Sequence, residues 1–298
     1  MAQVGYVGLG SMGLPMALNL RKAGFGLQVV SRSRGPIEQA LAAGATEAAG
    51  YAGLAAAVDV ACTCLPMPAD VERVYLEPDG LVAAARPGTV LIDHSTVGPD
   101  TCRKIAAAAR ARGVQFLDAP VSGGPAGAQA GTLGIMVGGE RAVFEQARPV
   151  LEAMGKTVVY MGPTGSGAVA KLINNLLVGV HQRALIEMLL VGQKAGVDLD
   201  ALYQVLMGSS GRSAILEMMY PRLKARDLEP KFRTELLHKD LRLALEMAAD
   251  NGVRSVTGEA AFAAVEAAIA AGLAKADTLS MLLPLEQAAD TRLFDGGR

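Results

Sequence analysis

Six residues near the start, Gly8-Leu9-Gly10-Ser11-Met12-Gly13, form a G-x-G-x-x-G between an apolar run ending at Val7 and a helical pattern opening at Met12. In a strand–turn–helix unit the first glycine permits the tight turn. The second lets the backbone approach a pyrophosphate, and the third lets the helix pack closely on the strand. The helix N-terminus then favours phosphate charge. Glycine is abundant, with 35 residues, so an ordinary Gly-rich turn would give the same letters; the second β-run from residue 26 makes dinucleotide binding the better reading. At the end of that run an NAD binder usually places an acid for the adenosine ribose. This chain reads Ser31-Arg32-Ser33-Arg34, and its first acid is Glu38. Two guanidiniums and two hydroxyls suit a 2′-phosphate, so NADP is the expected preference, with NAD as the alternative; a solvated turn with incidental arginines is the bland reading.

Lys171 and Asn175 are four apart in a long helical pattern and share one face, among Val169, Leu172, Ile173, Leu176 and Leu177. A lysine in such a run is costly to bury unless it is used, which suits a general acid/base acting on a hydroxyl or carbonyl oxygen. A lysine snorkelling to solvent fits the local pattern equally well. Ser122-Gly123-Gly124 follows a strand end at Asp118, where a hydroxyl and two amides form either an anion-binding nest or a structural turn. Asp93-His94-Ser95-Thr96 stands at another strand end, with Thr96 placed to meet a cofactor. Lys239-Asp240 lies in a later helical pattern, where such a pair is usually solvated.

The elements that must position these residues fall into two halves. Strands are expected at 3–7, 26–30, 58–64, 89–93, 115–118, 134–137 and 157–160, alternating with helices such as 12–23, 99–112 and 141–154. That alternation indicates βαβ units and a parallel sheet covered by helices on both faces. After Gly162-Pro163 no strand is expected: a helix from 166 to 194 spans about 40 Å at 1.5 Å per residue, and helical patterns continue to the end. Two domains follow, 1–162 Rossmann-type α/β and 163–298 all-α, joined by the long interdomain helix. Charge is balanced, 28 Lys plus Arg against 29 Asp plus Glu, and aromatics are 4% with no Trp, which disfavours nucleic-acid partners. Three cysteines without Cys/His clustering argue against a disulfide framework or a metal site. No signal peptide or 18-residue apolar span is read, so a cytoplasmic protein with no membrane partner is expected.

In order, residues 5–13, 118–124, 165–175 (Gly-x-Gly-x-x-x-Lys-x-x-x-Asn) and 239–241 resemble the motifs of the β-hydroxyacid dehydrogenase family over nearly the whole chain. That family includes 3-hydroxyisobutyrate dehydrogenases, tartronate semialdehyde reductases and glyoxylate/succinic semialdehyde reductases. The resemblance implies an NAD(P)-dependent oxidoreductase interconverting a small 3-hydroxy acid and its semialdehyde. It implies that Lys171 is the acid/base, Asn175 orients the substrate and Lys171, and Ser122, Gly123 and Gly124 hold the substrate carboxylate. Thr96 and Lys239 would meet the nicotinamide end, Leu65-Pro66-Met67 would border it, and Asp240 would hold Lys239. A homodimer or homotetramer is implied. The alternatives are an imine reductase-like enzyme, disfavoured by lysine at 171, and a non-catalytic NADP-binding scaffold. Arg212 stands as a candidate for a second substrate carboxylate or as a surface residue.

Overall fold

A computed structural model describes residues 2–294, which divide into one compact unit through Leu172 and another from Ile173 onward. Nine strands are found among the described residues, all in the first unit: β1 (Gln3–Val7), β2 (Gly26–Val30), β3 (Thr46–Glu47), β4 (Val60–Thr63), β5 (Val90–Asp93), β6 (Gln115–Asp118), β7 (Val121–Ser122), β8 (Leu133–Gly139) and β9 (Gly155–Gly162). They make one sheet in the order β3-β2-β1-β4-β5-β6-β8-β7, with β9 on β8. From β3 to β6 every pair is parallel. Val4, Tyr6, Val60, Cys62, Val90, Ile92 and Leu117 enter one core, and Val7, Ala61, Leu91 and Phe116 enter another on the opposite face. This period-two division explains why the strands are continuous apolar runs: both faces are covered by helices.

The sheet departs from the all-parallel expectation beyond β6. β8 runs antiparallel to both β6 and β7. The two-residue strands β3 and β7 are too short to leave a periodic signal. The sequence pattern also passed over the helices Arg34–Ala42, Gly50–Ala57 and Pro68–Leu76, whose Ala/Gly content or brevity blurs the apolar stripe.

His94, just past β5, is buried, with its ring stacked on Tyr6. Its Nδ1 lies 2.7 Å from the Ala119 carbonyl, which can only accept, so Nδ1 carries the proton, and buried Nε2 has no hydrogen-bond partner among the described residues. Burial lowers the pKa from 6.5 to about 4, against the raising effect of the Ala119 bond. Between those values the unfolded chain binds the extra proton, so the His94 contribution to stability is lost as pH falls from 6.5 towards 4. Asp118 works in the opposite sense. Burial raises its pKa to about 6, so its contribution is lost as pH rises through 6 and the two partly cancel in the wild type. The stability difference between wild type and His94→Asn should therefore fall by up to about 1.4 kcal/mol per pH unit below 6.5, measured by urea unfolding across pH. A difference independent of pH would overturn the assignment.

The second unit is helical among its described residues. The long helix Ser166–Lys194 runs into it, and Asp198 caps the next helix by accepting from the amides of Asp200 and Ala201. Gly179 lets the long helix approach Leu241 of the helix Thr234–Asp250: a Cβ there would stand 2.8 Å from Leu241 Cδ2. A third core, including Ile186, Leu189, Leu216, Leu237, Leu241 and Val265, holds this unit together. Among the described residues no helix is long and apolar enough to cross a membrane.

Candidate active site

The strand order reverses at β1, so the carboxyl ends of β1, β2, β4 and β5 bound the crevice where open α/β sheets take ligands. The loops at those four ends carry the cofactor candidates, and hydrogen bonds tie them to one another. The Gly8 amide donates to Val30 O at 3.0 Å, and the Leu9 amide meets Ser31 Oγ at 3.4 Å. The Leu65 amide donates to Ser95 Oγ at 2.9 Å, which steadies Leu65-Pro66-Met67. Thr96, one residue on, is half-buried.

The three glycines meet three different demands. Gly8 has φ +92°, and a Cβ there would lie 2.4 Å from Cys64 O. A Cβ on Gly13 would lie 1.9 Å from Gly8 O, so only glycine lets the helix Gly13–Lys22 close onto the strand. Gly10 is exposed and a Cβ would meet nothing within 4 Å among the described residues, which leaves its backbone approachable. This cradle fits a dinucleotide pyrophosphate.

Beyond β2 the two arginines part ways. Arg34 bonds Glu47 at 2.7 Å and Glu38 at 3.2 Å, so carboxylates already neutralise it. Arg32 keeps 71% of its side chain exposed and stands 3.8 Å from Asp70. Arg73 reaches the same carboxylate at 2.8 Å. Ser33 is exposed and takes the N-cap position of the helix Arg34–Ala42 without a side-chain cap bond. Asp70 and Arg73 carry no sequence signal of their own, because their helix, Pro68–Leu76, is only nine residues long.

At the end of β6 the Asp118 carboxylate accepts the Gly165 amide at 2.7 Å and the Ala168 amide at 2.9 Å, holding the start of the long helix. Lys171 lies three residues beyond Ala168 and is half-buried. After Asp118 the chain makes β7 and then Gly123 and Gly124, with φ +130° and +61°. Two successive positive-φ glycines turn the backbone sharply beside Ser122, a conformation side-chain-bearing residues rarely adopt.

In the helical unit, Asn175 donates to Asp240 Oδ2 at 2.6 Å, and Lys239 Nζ lies 3.1 Å from Asp240 Oδ1. All three are at least 95% buried, so the Lys-Asp pair is no solvated helix pair. Arg212 is exposed and pairs with Glu217 at 3.0 Å, while the Ser213 hydroxyl caps its own helix by accepting from Leu216.

Residues 3–162 match the family described as the NAD binding domain of 6-phosphogluconate dehydrogenase. Residues 165–285 match the NAD-binding domain of NADP-dependent 3-hydroxyisobutyrate dehydrogenase. The chain is 40% identical to the NAD-dependent L-serine dehydrogenase of Pseudomonas aeruginosa, over 93% of this chain and 95% of that protein. It is 37% identical to the 2-(hydroxymethyl)glutarate dehydrogenase of Eubacterium barkeri, over 99% and 98%. The 3-hydroxyisobutyrate dehydrogenase of Mycobacterium tuberculosis, solved with L-serine, superposes with a TM-score of 0.88 at 34% identity, covering 96% of this chain and 99% of that one. The chain belongs to the β-hydroxyacid dehydrogenase family. As in other β-hydroxyacid dehydrogenases, its first unit is a nicotinamide-dinucleotide-binding domain of Rossmann type. One matched relative is named for NAD and the second matched family is described for NADP, so family membership leaves the choice of dinucleotide to the residues after β2.

Proposed function

We propose that this β-hydroxyacid dehydrogenase is an NADP-preferring oxidoreductase that interconverts a small 3-hydroxy acid and its semialdehyde. The observation that carries the reading is the seat of Lys171. The helix bearing it is tied by Asp118 to the segment that continues into the Ser122-Gly123-Gly124 turn. A proton donor and a carboxylate-binding turn are thus built from one strand end.

The cofactor would lie with its pyrophosphate over Gly8, Leu9, Gly10, Ser11, Met12 and Gly13 and its adenosine end towards Ser31, Arg32, Ser33 and Arg34. Leu65, Pro66, Met67 and Thr96 would border the other end. When bound, the dinucleotide supplies or accepts the hydride. Lys171 Nζ gives its proton to the carbonyl oxygen in reduction and takes the hydroxyl proton in oxidation. The same ammonium stabilises the charge developing on that oxygen. The Ser122 hydroxyl and the amides of Gly123 and Gly124 hold the substrate carboxylate, which fixes the distance from carboxylate to reacting carbon and selects a 3-hydroxy acid. The proposed role of Asn175 is to orient the substrate and that of Lys239 to meet the nicotinamide end, and Asp240 pairs with both side chains. Assembly into a dimer or tetramer is supported by Ile173, Leu177, Met188 and Val191, each at least half exposed along one stripe of the long helix.

Relatives acting on L-serine and 2-(hydroxymethyl)glutarate, together with the Arg32 turn, define the test panel: L-serine, 3-hydroxyisobutyrate, 2-(hydroxymethyl)glutarate, glyoxylate, tartronate semialdehyde and succinic semialdehyde, each with NADP(H) and NAD(H). The expected result is turnover of at least one of L-serine, 3-hydroxyisobutyrate, 2-(hydroxymethyl)glutarate and tartronate semialdehyde, which share the 3-hydroxy or 3-oxo acid spacing, with a higher kcat/KM with the NADP couple than with the NAD couple. Cofactor binding without turnover across the panel would overturn it.

A further inference from the structure

Asp118 has no place in the chemistry just described, yet it is among the most buried carboxylates of the chain, 1% exposed. The first bond inside the long helix runs from the Val169 amide to Gly165 O, which makes Gly165 its N-cap. The amides just before that bond have no partner within the helix. Asp118 accepts two of them, at Gly165 and Ala168, from 47 and 50 residues away. A carboxylate at this end also opposes the positive end of the helix dipole.

The seat is built to fit. A Cβ on Gly138 would lie 2.6 Å from Asp118 Oδ1, and one on Gly167 would lie 2.9 Å from Oδ2 and 2.3 Å from Met136 O. Gly165 sits at φ +93°. Gly167 is therefore needed by the carboxylate and the backbone packed against it, and Gly165 by its own left-handed conformation.

We propose that Asp118 is the positioning residue for Lys171. Lys171 stands one helical turn beyond the capped amide of Ala168, so a tilt or fraying of that first turn moves Nζ. Ser122 stands four residues after Asp118 along the chain. One carboxylate thus sets the relation between the group that moves the proton and the turn that holds the substrate. The inference rests on the proposed role of Lys171.

Asp118→Asn keeps one acceptor and replaces the other with a donor facing an amide. Gly138→Ala leaves Asp118 in place and displaces its carboxylate, which provides a second variant should the first fold poorly. In whichever variant folds, kcat should fall on the order of tenfold or more, as expected for misplacement of a reacting group, with the dissociation constant for NADPH unchanged. Hydrogen exchange at the Gly165 and Ala168 amides should speed up. On a Lys171→Ala background the same substitution should lower kcat no further, because its effect passes through the lysine. A folded variant with wild-type kcat beside an impaired Lys171→Ala enzyme would overturn this proposal alone. So would an effect that persists in full without the lysine. A Lys171→Ala enzyme with wild-type kcat would instead overturn the acid/base reading.

Discussion

Replacing Lys171 with alanine should lower kcat by on the order of a hundredfold or more while NADPH binding survives, since general acid/base help is worth roughly 10²–10⁴-fold. The separation of effects follows from the architecture. The cofactor candidates stand on loops after β1, β2, β4 and β5, whereas Lys171 stands on the helix that follows β9. Removing the Lys171 side chain leaves Gly8, Gly13, Ser31 and Arg32 untouched. On the proposed reading, what disappears is the proton that must reach the carbonyl oxygen as hydride arrives, a deficit felt in the transition state rather than in ground-state binding. Single-turnover kinetics with NADPH, alongside fluorescence titration of the cofactor, would separate the two quantities. A small alkylamine added to Lys171→Ala should restore part of the lost rate by supplying the missing ammonium. A near-wild-type kcat would overturn the assignment.

Arg32→Asp should lower the ratio of kcat/KM for NADPH over NADH by about a hundredfold or more, since a lost charge-assisted hydrogen bond is worth about 1.5–3 kcal/mol and the new repulsion adds to it. The surroundings distinguish it from Arg34. Arg34 is held between Glu38 and Glu47, so Arg34→Ala should change the ratio far less. Arg32 is loosely held, at 3.8 Å from Asp70 and largely exposed, and a 2′-phosphate can recruit it at little cost. Arg73 shares the Asp70 carboxylate and should add a smaller effect of the same sign. A wild type that prefers NADH, or an Arg34→Ala effect larger than that of Arg32→Asp, would overturn the reading.

Much of this could be read from local pattern. The strands Gln3–Val7, Gly26–Val30 and Gln115–Asp118 and the helix Ser166–Lys194 fall where apolar runs and periodicity place them. Those elements are long or strongly patterned, and their ends carry glycine or a cap. The glycine turn at 8–13 was equally legible from its spacing: Gly13 answers Gly8 O five residues back and Gly8 its own positive φ, while the Cys64 O that also crowds Gly8 comes from a distant strand end.

The rest depended on partners far along the chain. Lys239-Asp240 reads as an ordinary solvated pair until the long helix packs against it, close enough at Gly179 for Asn175 to reach Asp240 across 65 positions. Asp118 reads as a strand end until the Gly165 and Ala168 amides arrive. Arg32 and Arg34 look alike in sequence and are separated by Asp70 on one side and by Glu38 and Glu47 on the other. The sequence by itself therefore determined the main strands, the long helix, the dinucleotide turn and the candidate lysine, since hydrophobic periodicity and glycine conformation act over a few residues. Tertiary structure alone decided which charges are buried, neutralised or exposed, because Coulomb interaction and desolvation depend on what is packed within a few ångströms, whatever its distance along the chain.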